Sequence, residues 1–67
     1  MSHNKLRGAI REKYGTQEAF AEAIKLNPST LSSRLTGKTD WSKTEMENAA
    51  KLLDINIEDL HSYFFAP

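Results

Sequence analysis

The dipeptide Asn27-Pro28 interrupts the helical pattern of this chain and restarts it at once. Asparagine is a favoured helix N-cap, and proline at the first helical position gives up an N–H that has no partner there anyway. A helix therefore begins at Pro28. It runs to about Thr36, where Gly37 supplies the left-handed residue that closes helices. Upstream, Thr16 caps a helix that ends near Ile24 or Lys25, with Glu18 in its first turn near the positive end of the dipole. Two short helices joined by three or four residues match the helix-turn-helix arrangement, in which the two cross steeply. Such a crossing needs a small residue at the contact, which Ala21 provides. It also needs apolar residues on both sides of the turn, which Phe20, Ile24, Leu26, Leu31 and Leu35 provide.

The rest of the chain reads as helix too, and no stretch alternates like a strand. Leu6, Ile10 and Tyr14, with Ala9 beside them, form one stripe on a first helix capped by Ser2 or Asn4 and stopped at Gly15. Ala19 and Ala23 extend the apolar side of the second helix. Residues 38–41 form a loop. Ser42 with Glu45 three residues on is a capping box, opening a fourth helix with Met46, Ala49, Ala50 and Leu53 on its apolar side. Asn56 is expected to cap a fifth helix from Ile57 to about Tyr63, with Glu58 and Asp59 in its first turn. The expected architecture is all-α: one compact five-helix domain over residues 1–67, with a helix-turn-helix at about 17–36.

Size and composition narrow the function. About 60 residues bury roughly 60% of the unfolded surface, which leaves little room for a deep catalytic cleft. No nucleophile–base constellation is present, so no catalytic residue and no small-molecule substrate are expected. The chain has no cysteine, and His3 and His61 are isolated, so no metal or other cofactor is expected. No apolar run approaches a membrane span, and the first residues lead into no secretory signal; a cytoplasmic location follows. The formal charge is zero, but it is unevenly spread. Residues 1–43 carry eight bases and four acids, whereas residues 44–67 carry one base and five acids. Such a dipole offers one face to an anionic partner.

The segment from Gln17 to Lys38, QEAFAEAIKLNPSTLSSRLTGK, resembles the DNA-binding domains of phage repressors and Cro-type regulators. The matching elements are Gln17 at the start of the second helix, Ala21 four residues on, apolar residues at 20, 24, 26 and 31, and Gly37. The resemblance extends more loosely to the neighbouring helices. The Trp41-Ser42 turn and the closing Tyr63-Phe64-Phe65 are similar to small prophage regulators. The chain departs from the family pattern at Lys25, where glycine is usual, and at Arg34, often apolar, whose core role passes to Leu35. A lysine at the turn must adopt a left-handed backbone, at a cost of about 1 kcal/mol.

The resemblance implies a regulator that binds a double-stranded DNA operator in a bacterial host cell, with the third helix in the major groove. Pro28, Ser29, Thr30, Ser32, Ser33 and Arg34 are then the base-contacting residues; Arg34 can read guanine or clamp a phosphate, the alternative being a pair with a nearby acid. Gln17, Thr36, Lys38, Ser42 and Lys43 are the backbone-contacting ones. It also implies a homodimer on DNA with half-sites about one helical turn apart. Of Tyr63, Phe64 and Phe65, the candidate dimer contact, some are expected to be core and at least one to lie in the contact. The residues agree independently: four small hydroxyls on one short helix have little merit as a merely solvated surface, where Glu, Lys or Gln would favour the helix more. Arg7 and Arg11, one turn apart, suit either phosphate contact or a solvated face. Trp41 is expected to cover the corner between the third and fourth helices, and Glu45, Glu47, Glu58 and Asp59 to be helix N-terminal charges. The competing expectation is a protein-binding module, an antirepressor or antitoxin, favoured by the neutral charge and the terminal aromatics.

Overall fold

The computed structural model describes residues 4–65. The expectations for Ser2 as a cap and for His3 lie outside that range. Five α-helices follow one another: α1 over Asn4–Tyr14, α2 over Gln17–Ile24, α3 over Pro28–Thr36, α4 over Lys43–Leu53 and α5 over Leu60–Phe64, the last preceded by a 3-10 turn over Ile57–Asp59. No strand occurs among the described residues. Among them, no helix is long and apolar enough to cross a membrane.

The local signals set the boundaries as their chemistry requires. Thr16 Oγ1 accepts from the Ala19 N–H at 3.1 Å, and Asn27 Oδ1 accepts from the Ser29 N–H at 3.0 Å. The Ser42 box is closed both ways: Glu45 N–H donates to Ser42 Oγ at 3.1 Å, and Ser42 N–H donates to Glu45 Oε1 at 2.9 Å. Helices α2, α3 and α4 all end on a left-handed residue, Lys25 (φ 63°), Gly37 (φ 84°) and Asp54 (φ 55°). In each case the next N–H reaches five residues back, from Leu26 to Ala21 O, Lys38 to Ser33 O and Ile55 to Ala50 O. That bond closes the helix and turns the chain sharply. Lys25 thus accepts the strained conformation expected of it. Asp54 does the same beside an ion pair to Lys13.

Every helix gives side chains to one core. Leu6 and Ile10 of α1, Phe20, Ala21 and Ile24 of α2, Leu31 and Leu35 of α3, Ala49 and Leu53 of α4 and Phe64 of α5 are buried in it. Ala21 is 1% exposed, as close passage of α2 under α3 demands. Leu35 is fully buried and takes the anchoring role that Arg34 leaves open. Trp41 meets Phe64 edge-on at 5.1 Å between ring centroids, covering the corner between α3 and α4. Tyr14 meets Phe20 edge-on at 5.2 Å, and its hydroxyl donates to Leu52 O at 3.3 Å.

Two expectations are corrected, and a third is narrowed. Ala19 is exposed instead of joining the apolar side of α2. The fifth helix does not start on an Asn56 cap, since that side chain makes no capping bond. Instead, Asp59 N–H closes a tight turn on Asn56 O at 2.9 Å, and the α-helix begins three residues late. Finally, the closing aromatics divide. Phe64 is core at 4% exposure and cannot serve as a surface contact, Tyr63 is half-buried with Lys5 Nζ 4.7 Å above its ring, and Phe65 is 61% exposed. Phe65 is the first residue past the end of α5, and its side chain lies outside the core.

Candidate nucleic-acid interface

Helix α3 has two faces. Leu31 and Leu35 point inward and are fully buried. Ser29, Ser32 and Thr36 are exposed and Ser33 is half-buried; their spacing of three, one and three residues puts them on one stripe. Pro28 is exposed at the helix start, and Thr30 is half-buried. The helix carries no acidic residue. Short hydroxyl side chains keep the backbone cylinder accessible, so a partner can approach it closely.

The hydroxyls of that stripe are not equivalent. Ser29 Oγ donates to Asn27 Oδ1 at 2.8 Å. Thr36 Oγ1 donates back to Ser33 O at 3.3 Å. Ser32 and Ser33 have no hydrogen-bond partner for their side chains among the described residues, so their hydroxyls remain free to donate or accept.

Arg34 is placed differently from the other candidates. Its Nε and Nη2 donate to Glu45 Oε1 and Oε2 at 2.9 and 3.2 Å, and Nη1 donates to Thr39 Oγ1 at 2.6 Å. The paired side chains are 19% and 18% exposed. This bidentate fork ties the end of α3 to the start of α4 and to the loop between them. The bond from Arg34, followed by that from the Ser42 N–H, holds the Glu45 carboxyl below its ordinary pKa; the same bond raises that of Arg34. In the free chain the Arg34 guanidinium is thus engaged by an acid, the alternative to base or phosphate contact. The Ser42 N–H is likewise engaged within the chain, by Glu45 Oε1.

Polar groups flank α3. Gln17 is exposed at the first position of α2. It lines a cleft with Thr16, Gly15 and two arginines of α1, Arg7 and Arg11. Arg7 Nε is buried there with no hydrogen-bond partner among the described residues. Lys38 and Lys43 are exposed after α3 and at the start of α4. The arrangement is a hydroxyl-lined helix whose one charge, Arg34, is paired with Glu45, with cations on the segments before and after it.

A family described as "Protein of unknown function (DUF739)" matches over residues 1–67. The chain belongs to the DUF739 family. No curated protein matches it. In this DUF739 chain, sequence reasoning left two groups unplaced. Arg7 and Arg11 had an i, i+4 signal but no known neighbour until the fold brought Thr16 and Gln17 to them. The partnership of Glu45 with Arg34 had one sequence cue, the capping-box position, which fixes where the Glu45 carboxylate sits but not what approaches it.

Proposed function

We propose that this chain binds double-stranded DNA in a sequence-specific manner, as a phage- or prophage-type transcriptional regulator of the repressor and Cro kind. The observation that carries the reading is the outward face of α3: a stripe of hydroxyls without acidic residues on a helix whose other side is locked in the core. In the major groove, Ser29, Ser32 and Ser33 meet base edges, with Pro28 and Thr30 beside them. Gln17, Arg7, Arg11, Thr36, Lys38 and Lys43 meet the phosphates. Arg34 acts through Glu45 to hold α3 in position. The regulator docks as a homodimer, its half-sites about one helical turn apart, and acts by occupying an operator. The exposed Ile57 and Phe65 are the apolar groups available to the dimer contact.

The test is enrichment of bound duplexes from a random pool at about 50 and 200 mM salt. The reading expects a palindromic motif, binding that weakens by orders of magnitude as salt rises, and loss of affinity in Ser32→Ala and Ser33→Ala. Retention of no duplex at about 100 micromolar protein, the weak end of ordinary non-specific binding, overturns it.

Ile57, 83% exposed beside a groove lined by Ala50, Ile55 and Leu60, favours a second reading as a protein-binding module. That reading expects no DNA retention, and capture of a protein partner that Ile57→Ser abolishes.

A further inference from the structure

We propose that Ser29 meets DNA as a hydrogen-bond acceptor only, and so selects the exocyclic amino groups of adenine or cytosine on the strand it faces. The inference rests on the reading of α3 as a DNA-reading helix and adds the chemistry of one of its contacts.

The polarity follows from two bonds to one atom. The Asn27 side chain accepts from the Ser29 backbone N–H at 3.0 Å. A backbone N–H can only donate, so the amide presents its oxygen and not its nitrogen to Ser29. Ser29 Oγ lies 2.8 Å from that same oxygen. An amide oxygen can only accept, so the one proton of the Ser29 hydroxyl must point at Asn27. Ser29 is exposed, and what its oxygen offers outward is lone pairs. In the major groove, adenine N6 and cytosine N4 donate, while guanine O6 and N7 and thymine O4 accept. Facing an amino group, Ser29 gains a hydrogen bond. Facing a keto oxygen, it sets lone pair against lone pair. Ser32 and Ser33 have free rotors and adapt to either edge, so the amino-against-keto choice at this end of α3 belongs to Ser29. Asn27 is its positioning residue: it touches no base, but it fixes the direction of the proton.

The experiment uses the full chain, Ser29→Ala, Asn27→Asp and Asn27→Gly, on duplexes enriched from a random pool. It then uses duplexes from which one amino group is deleted, with purine in place of adenine or pyrimidin-2-one in place of cytosine. The inference expects one position per half-site at which Ser29→Ala loses base preference. Deleting the amino group there weakens the unaltered chain about two- to tenfold, the size of one net hydrogen bond, and does not affect Ser29→Ala. Asn27→Asp keeps an acceptor for the Ser29 proton and keeps the preference. Asn27→Gly retains a tolerated cap residue but releases the proton, so the preference at that position flattens while the rest of the motif persists. The inference is overturned if Ser29→Ala leaves every position unchanged, if amino deletion has no Ser29-dependent effect, or if Asn27→Gly keeps the preference. Retention of no duplex by the unaltered chain overturns both this inference and the DNA-binding reading, which separates the two failures.

Discussion

The two ends of α3 are held in different ways. At its N-terminal end the bonds are local: Asn27 caps the helix, Ser29 bonds back to that cap, and the hydroxyl stripe faces outward. At its C-terminal end the bonds reach across the fold: Arg34 forks onto Glu45 of α4 and touches Thr39 in the loop. Both ends share the core through Leu31 and Leu35. A helix that reads a partner with one half needs the other half fixed, because the position of a short side chain is set by its backbone. Serine cannot reach out to correct a misplaced helix as arginine can. The short side chains at one end therefore depend on the charged fork at the other.

The largest effect should be common to both ends. Leu31→Ala and Leu35→Ala are each expected to lower unfolding stability by about 2–5 kcal/mol in urea titrations. A much smaller loss for either would mean that one end is not anchored in the core. Next comes the fork. Arg34→Ala should cost about 1–3 kcal/mol, the range for a charge-assisted bond whose partner is left behind, and Glu45→Ala should match or exceed it through loss of the cap. Ser32→Ala and Ser33→Ala should stay within about 0.5 kcal/mol of the parent. That contrast, large at Arg34 and negligible at the free serines, is the thermodynamic form of the difference between the two ends.

The fork also gives stability a pH dependence. Glu45 is held below its ordinary value of 4.5 in the folded chain, so the unfolded chain binds its proton more readily. The contribution is fully present above that ordinary value and is lost as pH falls through the lowered one. Urea midpoints of the parent should drop across this acidic interval, and Arg34→Ala should show a shallower drop. Equal slopes would contradict the fork. The smallest effect is a gain. Lys25→Gly relieves a left-handed lysine in the turn before α3 and should stabilise by about 1 kcal/mol without altering either end of the helix. Asp54→Gly should gain less, because it also removes the ion pair to Lys13.

Most of this fold was legible because most of it is punctuated locally. Thr16, Asn27 and Ser42 cap the helices they precede, and Gly37 closes α3, because each acts on backbone groups within a few residues. Even the strain at Lys25 could be foreseen, since the turn requires a left-handed residue whatever side chain occupies it. What was not legible depends on distance in the fold. Arg34 and Glu45 are eleven residues apart, and they meet through the path of the loop between α3 and α4, which no cap or period encodes. Read by residue type alone, Arg34 suits guanine, phosphate or a nearby acid, and nothing in the sequence names Glu45 as that acid. The start of α5 was missed for a related reason: the Asn56 side chain matched a cap, but a backbone turn already satisfied the segment. The choice of Phe64 over Phe65 for the core depended on the phase of that late start.

In the proposed reading, the hydroxyl face of α3 reads DNA while the Arg34 fork holds it in place. The most direct test is to follow the backbone amides by NMR as an enriched duplex is added. The account predicts shifts concentrated at the start of α2, along α3 and through the segment from Lys38 to Lys43, with the Arg34–Glu45 bond retained. Shifts confined to the region of Ile57 and Phe65, or displacement of Arg34 from Glu45 onto a base, would contradict it.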